Sequence, residues 1–333
     1  MKYLNFFFFT LILTLISIFN IYSSAFYLKD DNFCVEFEKI VVDIDHGESQ
    51  IEERVSNFDL YSDNRVKIPT IFFDRGSDKL LVVGQGFSGR KEQQVYKTKI
   101  FLDYDIVVFD YRWIRSYRFY LKPTTIIHPY QKILLEEKDE VLTVVNEIKS
   151  RKRYTDVIGL GECYSNFTFA MAQVESEQNG NPLFSKLIMD SAWLSLADFI
   201  NEITLDPVLP LKPQKGGTPK IIKKVLKKKY IHKCLFNFVK LFVPKISSAN
   251  YLSQIRMAPI LFIHGTQDKM VPYETTFNRI WDTVVNTSKI LFITPFEHSY
   301  NDKDKATYKF ICDAFMSSSD LKEFKKLVRD IKI

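Results

Sequence analysis

The chain has 333 residues, of which 46% are hydrophobic and 26% charged; this is ample material for a core and excludes a disordered chain. Its net charge of +6 at pH 7 is too small to indicate a nucleic-acid partner. Cysteine and histidine do not occur at zinc-binding spacings, and the sequence contains no Walker phosphate loop. We therefore expect no metal and no cofactor.

The first 25 residues differ from the rest of the chain. Lys2 is followed by an almost wholly apolar run over 6–21, and Ser23-Ser24-Ala25 supplies the small residues of a cleavage site. This pattern predicts a secretory signal peptide. The alternative is an uncleaved N-terminal anchor, because the apolar run approaches the length that spans a bilayer. Both interpretations place one domain, residues 26–333, outside the cytoplasm.

Four cysteines occur, namely Cys34, Cys163, Cys234 and Cys312. If Cys163 is a free thiol, at most one disulfide can form among the other three, and their spacing does not say which pair. A free thiol is unusual in an oxidising compartment.

Short apolar runs follow the leader, and amphipathic segments lie between them. Residues 35–44 and 66–73 are the first two predicted strands. Six nearly continuous apolar runs suit strands that are buried on both faces of a parallel sheet: 80–83, 106–109, 157–160, 187–189, 260–263 and 290–293. Apolar residues recur at helical spacing over 134–148, 167–174 and 277–284. The alternation predicts an α/β domain with a mostly parallel, doubly wound sheet.

A long stretch, about 201–257, interrupts this alternation. It is rich in proline at first, then dense in lysine, and then aromatic over 236–242. Its position between two predicted sheet strands indicates an insertion, which we interpret as a helical lid. The lysines and aromatic residues are compatible with contact to an anionic membrane surface or a lipid chain. The alternative is a solvated lysine face over an apolar underside.

The most informative motif follows the apolar run at 157–160. Here Gly161-Glu162-Cys163-Tyr164-Ser165 leads from a predicted strand directly into a predicted helix. A nucleophile on such a tight turn has a strained backbone, and bulky side chains two residues to either side would collide, so Gly161 and Ser165 suit these positions. The following helix directs its N-terminus at the thiol, which favours a thiolate and a developing oxyanion. The alternative is that Cys163 is an ordinary buried cysteine.

With this motif the sequence resembles the α/β-hydrolase superfamily, whose nucleophile elbow is G-x-S-x-G. Cys163 stands in place of the serine and Ser165 in place of the second glycine. Dienelactone hydrolases and polyhydroxyalkanoate synthases are similar in using cysteine at this position. The resemblance implies an α/β-hydrolase fold with the helical lid as an insertion.

Residues 258–272 also resemble this family. They look like its late strand, its G-x-x-D loop and the V-P start of the next helix, and the resemblance gives Asp268 the role of the acid that holds the histidine. Among five histidines, His298 alone follows Asp268, and it lies in the loop after the last predicted strand. The order Cys163, Asp268, His298 is the nucleophile, acid and base order of the family.

A third similarity lies at 80–90, where the family places its oxyanion loop. Gln85 stands where the usual form has histidine. By resemblance, the backbone N–H groups of Phe87 and Tyr164 form the oxyanion hole, and backbone donors do not depend on side-chain identity. Asp110 and Arg112 look like the family's D-x-R-G corner, and we interpret both as structural.

Two further carboxylates compete for the acid role. Asp190 follows the run at 187–189, where some family members carry their acid. We interpret Asp190 as a cap of a helix starting near Ala192-Trp193. Glu297 adjoins His298 and points elsewhere if its loop is extended.

Together these residues predict a hydrolase that cleaves an ester, thioester or lactone in a small acyl substrate through an acyl-enzyme on Cys163. One alternative is an acyltransferase or polyester synthase with the same three residues. A second is a non-catalytic binding protein on a hydrolase scaffold.

Overall fold

The computed structural model describes residues 53–63, 65–86, 91–111, 129–195, 247–285, 288–295, 297–298 and 305–328. Several sequence predictions lie outside these ranges and stay predictions: the leader at 1–25, the strand at 35–44, most of the lid, Phe87, Arg112, Cys34 and Cys234. Cys312 is a buried free thiol. In the described part of the chain, no helix is both long and apolar enough to cross a bilayer.

Within the described ranges, eight strands form one sheet in the order β1-β2-β4-β3-β5-β6-β7-β8. They are β1 (Arg54–Tyr61), β2 (Lys67–Asp74), β3 (Lys79–Val83), β4 (Asp105–Phe109), β5 (Asp156–Glu162), β6 (Lys186–Asp190), β7 (Ile260–Gly265) and β8 (Lys289–Thr294). β2 pairs antiparallel with both β1 and β4. The pairs from β4 through β8 are all parallel. The predicted mostly parallel sheet is confirmed.

Helices cover both faces of this sheet. They are α1 (Val95–Thr98), α2 (Pro129–Arg151), α3 (Ser165–Gln178), α4 (Ser248–Leu252), α5 (Asn278–Thr283), α6 (Lys305–Ser317) and α7 (Leu321–Val328). A short 3-10 helix, Lys91–Gln94, precedes α1, and a π-helix, Tyr273–Phe277, precedes α5. Successive residues of β3 alternate between two cores, because side chains of a strand point to opposite faces. Leu80 and Val82 pack with α2 and α3, whereas Leu81 and Val83 pack with α6.

β1 was not predicted from the sequence. Its residues alternate between exposed and partly buried positions, because among the described strands β1 stands at the edge of the sheet and pairs with β2 alone. An edge strand of this kind lacks the continuous apolar run of a strand buried on both faces. Charged residues such as Arg54 and Asp59 fit its exposed positions.

Ser195 and Ser247, which flank residues 196–246 in the sequence, lie side by side. Ser195 and Ser247 form an antiparallel bridge, and Ser248 N donates to Leu194 O at 2.7 Å. After Ser247 the chain contributes to the core again, where Leu252 and Ile255 are fully buried. Ser195 itself lies a few residues after Asp190, the end of β6.

Candidate active site

Cys163 occupies a strained turn between β5 and α3. It follows Glu162, the last residue of β5, and lies two residues before the start of α3. Its φ of +52° is in the left-handed region, which costs a residue with a Cβ about 1–2 kcal/mol. The surrounding contacts must hold this conformation, and strain of this kind clusters at functional sites.

The small residues on either side of Cys163 make two close approaches possible. A Cβ on Gly161 would lie 2.5 Å from Oδ1 of Asn166. The Ser165 hydroxyl accepts from Glu162 N at 2.6 Å and donates to Glu162 O at 3.0 Å. Ser165 therefore closes the turn with its own hydrogen bonds, which a glycine in its place would lack.

A third close approach was not expected from the sequence. A Cβ on Gly84 would lie 2.3 Å from Cβ of Ser165 and 2.9 Å from Cζ of Phe169. Gly84 N also donates to Leu160 O at 2.9 Å. The residue after β3 thus touches the elbow directly, and only glycine fits there.

Asp190 holds the elbow through its main chain. Its carbonyl oxygen accepts from Cys163 N at 2.9 Å and from Nδ2 of Asn166 at 2.7 Å. Our interpretation of Asp190 as a helix cap is wrong: it is the last residue of β6, and no helix occurs over the described residues 191–195. Its buried side chain accepts from the Ser191 hydroxyl at 3.0 Å.

Asp268 and His298 come together from two different loops at the same edge of the sheet. Oδ1 of Asp268 accepts from Met270 N and from Val271 N, each at 2.8 Å. Oδ2 of Asp268 lies 2.8 Å from Nδ1 of His298. Glu297 is exposed. The backbone bonds to Oδ1 select a single carboxylate orientation, which presents Oδ2 to the histidine.

The electrostatics of His298 connect it to Cys163 as well. Burial lowers the pKa of His298, but the charges of Cys163 and Asp268 and hydrogen bonds with both side chains raise it, and the net pKa lies well above its usual value. The surroundings of His298 therefore favour its protonated form, despite burial.

The segment around the expected oxyanion loop is tied down at both ends by Asp110. Oδ1 of Asp110 accepts from Lys91 N at 2.8 Å and from Nε2 of Gln85 at 3.3 Å. Gln85 Nε2 also donates to Phe109 O at 3.1 Å. A Cβ on Gly86 would lie 3.7 Å from Cβ of Cys163, so Gly86 is beside this residue. Burial raises the pKa of Asp110, partly opposed by its hydrogen bond from Lys91.

Tyr164, the other expected oxyanion residue, is anchored by its side chain. Its ring packs within 5.7 Å, centroid to centroid, of both Tyr111 and Trp193. Its hydroxyl donates to the carboxylate of Glu137, a buried residue of α2. Tyr164 lies directly before Ser165, the first residue of α3, on the helix side of the elbow.

Two buried polar residues beside the site were missed. Lys97 Nζ lies 2.9 Å from Oε2 of Glu162, and the Lys97 side chain is fully buried. His264, at the end of β7, is fully buried next to the Asp268 loop. The sequence offered one signal for His264, its place in the motif that contains Asp268. It offered none for Lys97, which lies in a short helix far from the elbow in sequence.

No protein-family model matches the chain, and no curated protein matches its sequence significantly. Solved structures are similar in fold. An esterase from Pyrococcus furiosus has a TM-score of 0.57 at 16% identity, over 79% of this chain and 91% of that one. An esterase from Exiguobacterium antarcticum has a TM-score of 0.53 at 15% identity, over 79% and 100%. An acylaminoacyl peptidase from Pyrococcus horikoshii has a TM-score of 0.53 at 13% identity, over 83% and 44%. The chain has the α/β-hydrolase fold, as predicted.

Proposed function

We propose that this protein is a hydrolase that cleaves an ester, thioester or lactone, with Cys163 as nucleophile, His298 as base and Asp268 as the acid that orients His298. One observation carries the proposal. The His298 ring is bonded to Asp268 at 2.8 Å and has its pKa raised, against the effect of burial, by Cys163 and Asp268. A thiol, an imidazole and a carboxylate in this relation form an activated nucleophile.

The first half of the reaction forms an acyl-enzyme. His298 holds the thiol proton, and the Cys163 sulfur attacks the carbonyl carbon, so that the C=O electron pair moves onto oxygen. By resemblance, the backbone N–H groups of Phe87 and Tyr164 stabilise this oxyanion, at about 3–4 kcal/mol per donor. The intermediate then collapses and the bond to the leaving oxygen or sulfur breaks. His298 gives its proton to the leaving group, and the acyl group stays on Cys163 as a thioester.

The second half regenerates the thiol. A water molecule attacks the thioester carbonyl while His298 takes one of its protons. The second tetrahedral oxyanion collapses and the C–S bond breaks. The carboxylic acid leaves, and the Cys163 thiolate remains beside the His298 imidazolium. No metal or cofactor enters this scheme.

Two considerations favour ester-type substrates. Solved structures of the same fold include esterases. Thioesters, activated esters and lactones have better leaving groups than amides, and this suits a thiolate, which is itself a good leaving group from the tetrahedral intermediate. Proton transfer to the leaving group through His298 is then a smaller part of the barrier.

The proposal is tested with a panel of p-nitrophenyl esters and acyl thioesters. We expect the wild type to turn over at least one of them and Cys163→Ala to lose about a thousandfold or more of kcat. Cys312→Ala is the matched control, because Cys312 is also a buried free thiol and lies outside the proposed machinery. Equal turnover by the wild type and Cys163→Ala contradicts the proposal.

Mass spectrometry of the same reactions separates the alternative functions. An acyltransferase would convert the acyl donor to a product on an added alcohol or thiol instead of free acid. A binding protein without catalysis would form no acyl adduct on Cys163, and iodoacetamide would not label this thiol in the folded, reduced protein.

A further inference from the structure

His264 lies against the loop that carries Asp268 and makes one hydrogen bond to it. It is in β7, four residues before Asp268, and is fully buried. Its ring stacks on Phe277 with centroids 4.2 Å apart and an interplanar angle of 23°. The stack fixes the plane of the imidazole.

The tautomer of His264 follows from its one polar contact. Nε2 lies 2.9 Å from Val271 O. A carbonyl oxygen only accepts hydrogen bonds, so Nε2 carries the proton and donates it. Nδ1 has no hydrogen-bond partner in the described part of the chain. Burial lowers the pKa of His264 to about 4, opposed by the Asp268 charge and the Val271 bond, so the ring is neutral near pH 7.

Val271 connects His264 to Asp268. Its carbonyl accepts from His264, and its own N–H donates to Oδ1 of Asp268 at 2.8 Å. A shift of the Val271 main chain therefore moves the donor that orients Asp268. That carboxylate in turn sets the ring of His298, since its Oδ2 lies 2.8 Å from Nδ1.

We propose that His264 is a positioning residue, whose Nε2–H holds Val271 so that Asp268 presents Oδ2 to His298. This inference rests on the proposed function for its effect on catalysis, but the geometry that it describes exists without substrate. A positively charged His264 would compete with His298 for the carboxylate of Asp268. Because the His264 ring is neutral, this competition does not arise. The competing view is that His264 only fills space against Phe277.

Two substitutions separate donation from packing. His264→Gln keeps an N–H at about the reach of Nε2, and His264→Met fills similar space without a donor. We expect kcat for an active ester to fall about tenfold in His264→Met, equivalent to about 1.4 kcal/mol, with KM changed less than about twofold. His264→Gln should recover most of kcat. Wild-type kcat in His264→Met, or equal losses in both variants, would overturn the inference.

A measurement without substrate keeps this test separate from the proposed function. The proton on Nδ1 of His298, bonded to a carboxylate, should give a strongly downfield NMR signal in the wild type and in His264→Gln. In His264→Met this signal should shift or vanish. If Cys163→Ala is as active as the wild type but the signal behaves in this way, the proposed function fails and the positioning role stands. An unchanged signal in His264→Met overturns the positioning role alone.

The wild type offers a further check that requires no variant, should His264→Met fail to fold. Nitrogen-15 shifts of the His264 ring should report a neutral Nε2–H tautomer at every pH near neutrality at which the protein is folded. An Nδ1–H tautomer, or a ring that becomes protonated near pH 6.5, overturns the inference.

Discussion

Nδ1 of His298 lies 2.8 Å from Oδ2 of Asp268, although 30 residues separate them along the chain. The same carboxylate uses its other oxygen for two backbone N–H groups of its own loop. Asp268 therefore has a fixed orientation before any substrate binds. This preorganisation is the feature of the site that we expect to matter most for catalysis.

Replacing Asp268 by asparagine should impair the site without removing its shape. Asp268→Asn loses the negative charge that helps to raise the pKa of His298, so the imidazolium is less stable and its tautomer is less well defined. We expect kcat to fall by about 10²–10⁴-fold, measured with the ester or thioester that the wild type cleaves best. Glu297→Gln is the control, since Glu297 is exposed beside His298; a comparable loss in both variants would argue against the role of Asp268.

Stability should depend on pH through His298. Burial lowers its pKa, but Cys163 and Asp268 raise it more, so the folded-state pKa exceeds the usual 6.5. The folded state then binds this proton more tightly than the unfolded state. The resulting stabilisation is fully present below the unfolded pKa and is lost as pH rises through the folded pKa.

Urea unfolding checks this expectation at about pH 6 and about pH 9. From about pH 6 to about pH 9, the free energy of unfolding should fall further in the wild type than in His298→Gln. Equal losses in the two proteins would show that other groups cause the pH dependence.

A single methyl group at Gly84 should disturb the elbow. In Gly84→Ala the added carbon would meet Cβ of Ser165 at 2.3 Å, and a packed interior cannot relax freely. We expect the free energy of unfolding to fall by about 1–3 kcal/mol, measured by urea denaturation. Gly86→Ala is the matched control, because its new carbon would be at an ordinary 3.7 Å from Cβ of Cys163. A stable Gly84→Ala protein would mean that Ser165 can move without cost.

The buried ion pair below the elbow should be costly to break from one side. Lys97 is fully buried and lies 2.9 Å from Glu162, the residue before Cys163. Lys97→Met leaves Glu162 without this cation, and the loss of one partner of a buried pair costs about 3–5 kcal/mol. The exposed pair Arg151–Glu147 provides the comparison: Arg151→Met should cost less than about 1 kcal/mol. Similar urea midpoints for the two variants would contradict a special role for the buried pair.

The sequence by itself determined the fold class and the local chemistry of the turn at Cys163. Continuous apolar runs predicted the parallel strands, because a strand buried on both faces tolerates little else. The small residues around Cys163 predicted its strained turn, since steric conflict at such a turn depends only on near neighbours in the chain. The roles expected for Asp268 and His298 came from the resemblance of 258–272 to a known family and from the position of His298 after the last predicted strand.

Tertiary structure alone decided the contacts made across the sheet. It made Asp190 a main-chain acceptor for the elbow instead of a helix cap, placed Gly84 against Ser165, and paired Lys97 with Glu162. It also added β1 at the edge, whose mixed exposure carries no strong pattern. These relationships join residues that are distant in sequence, and strand register and helix packing set their distances, so no local spacing along the chain encodes them.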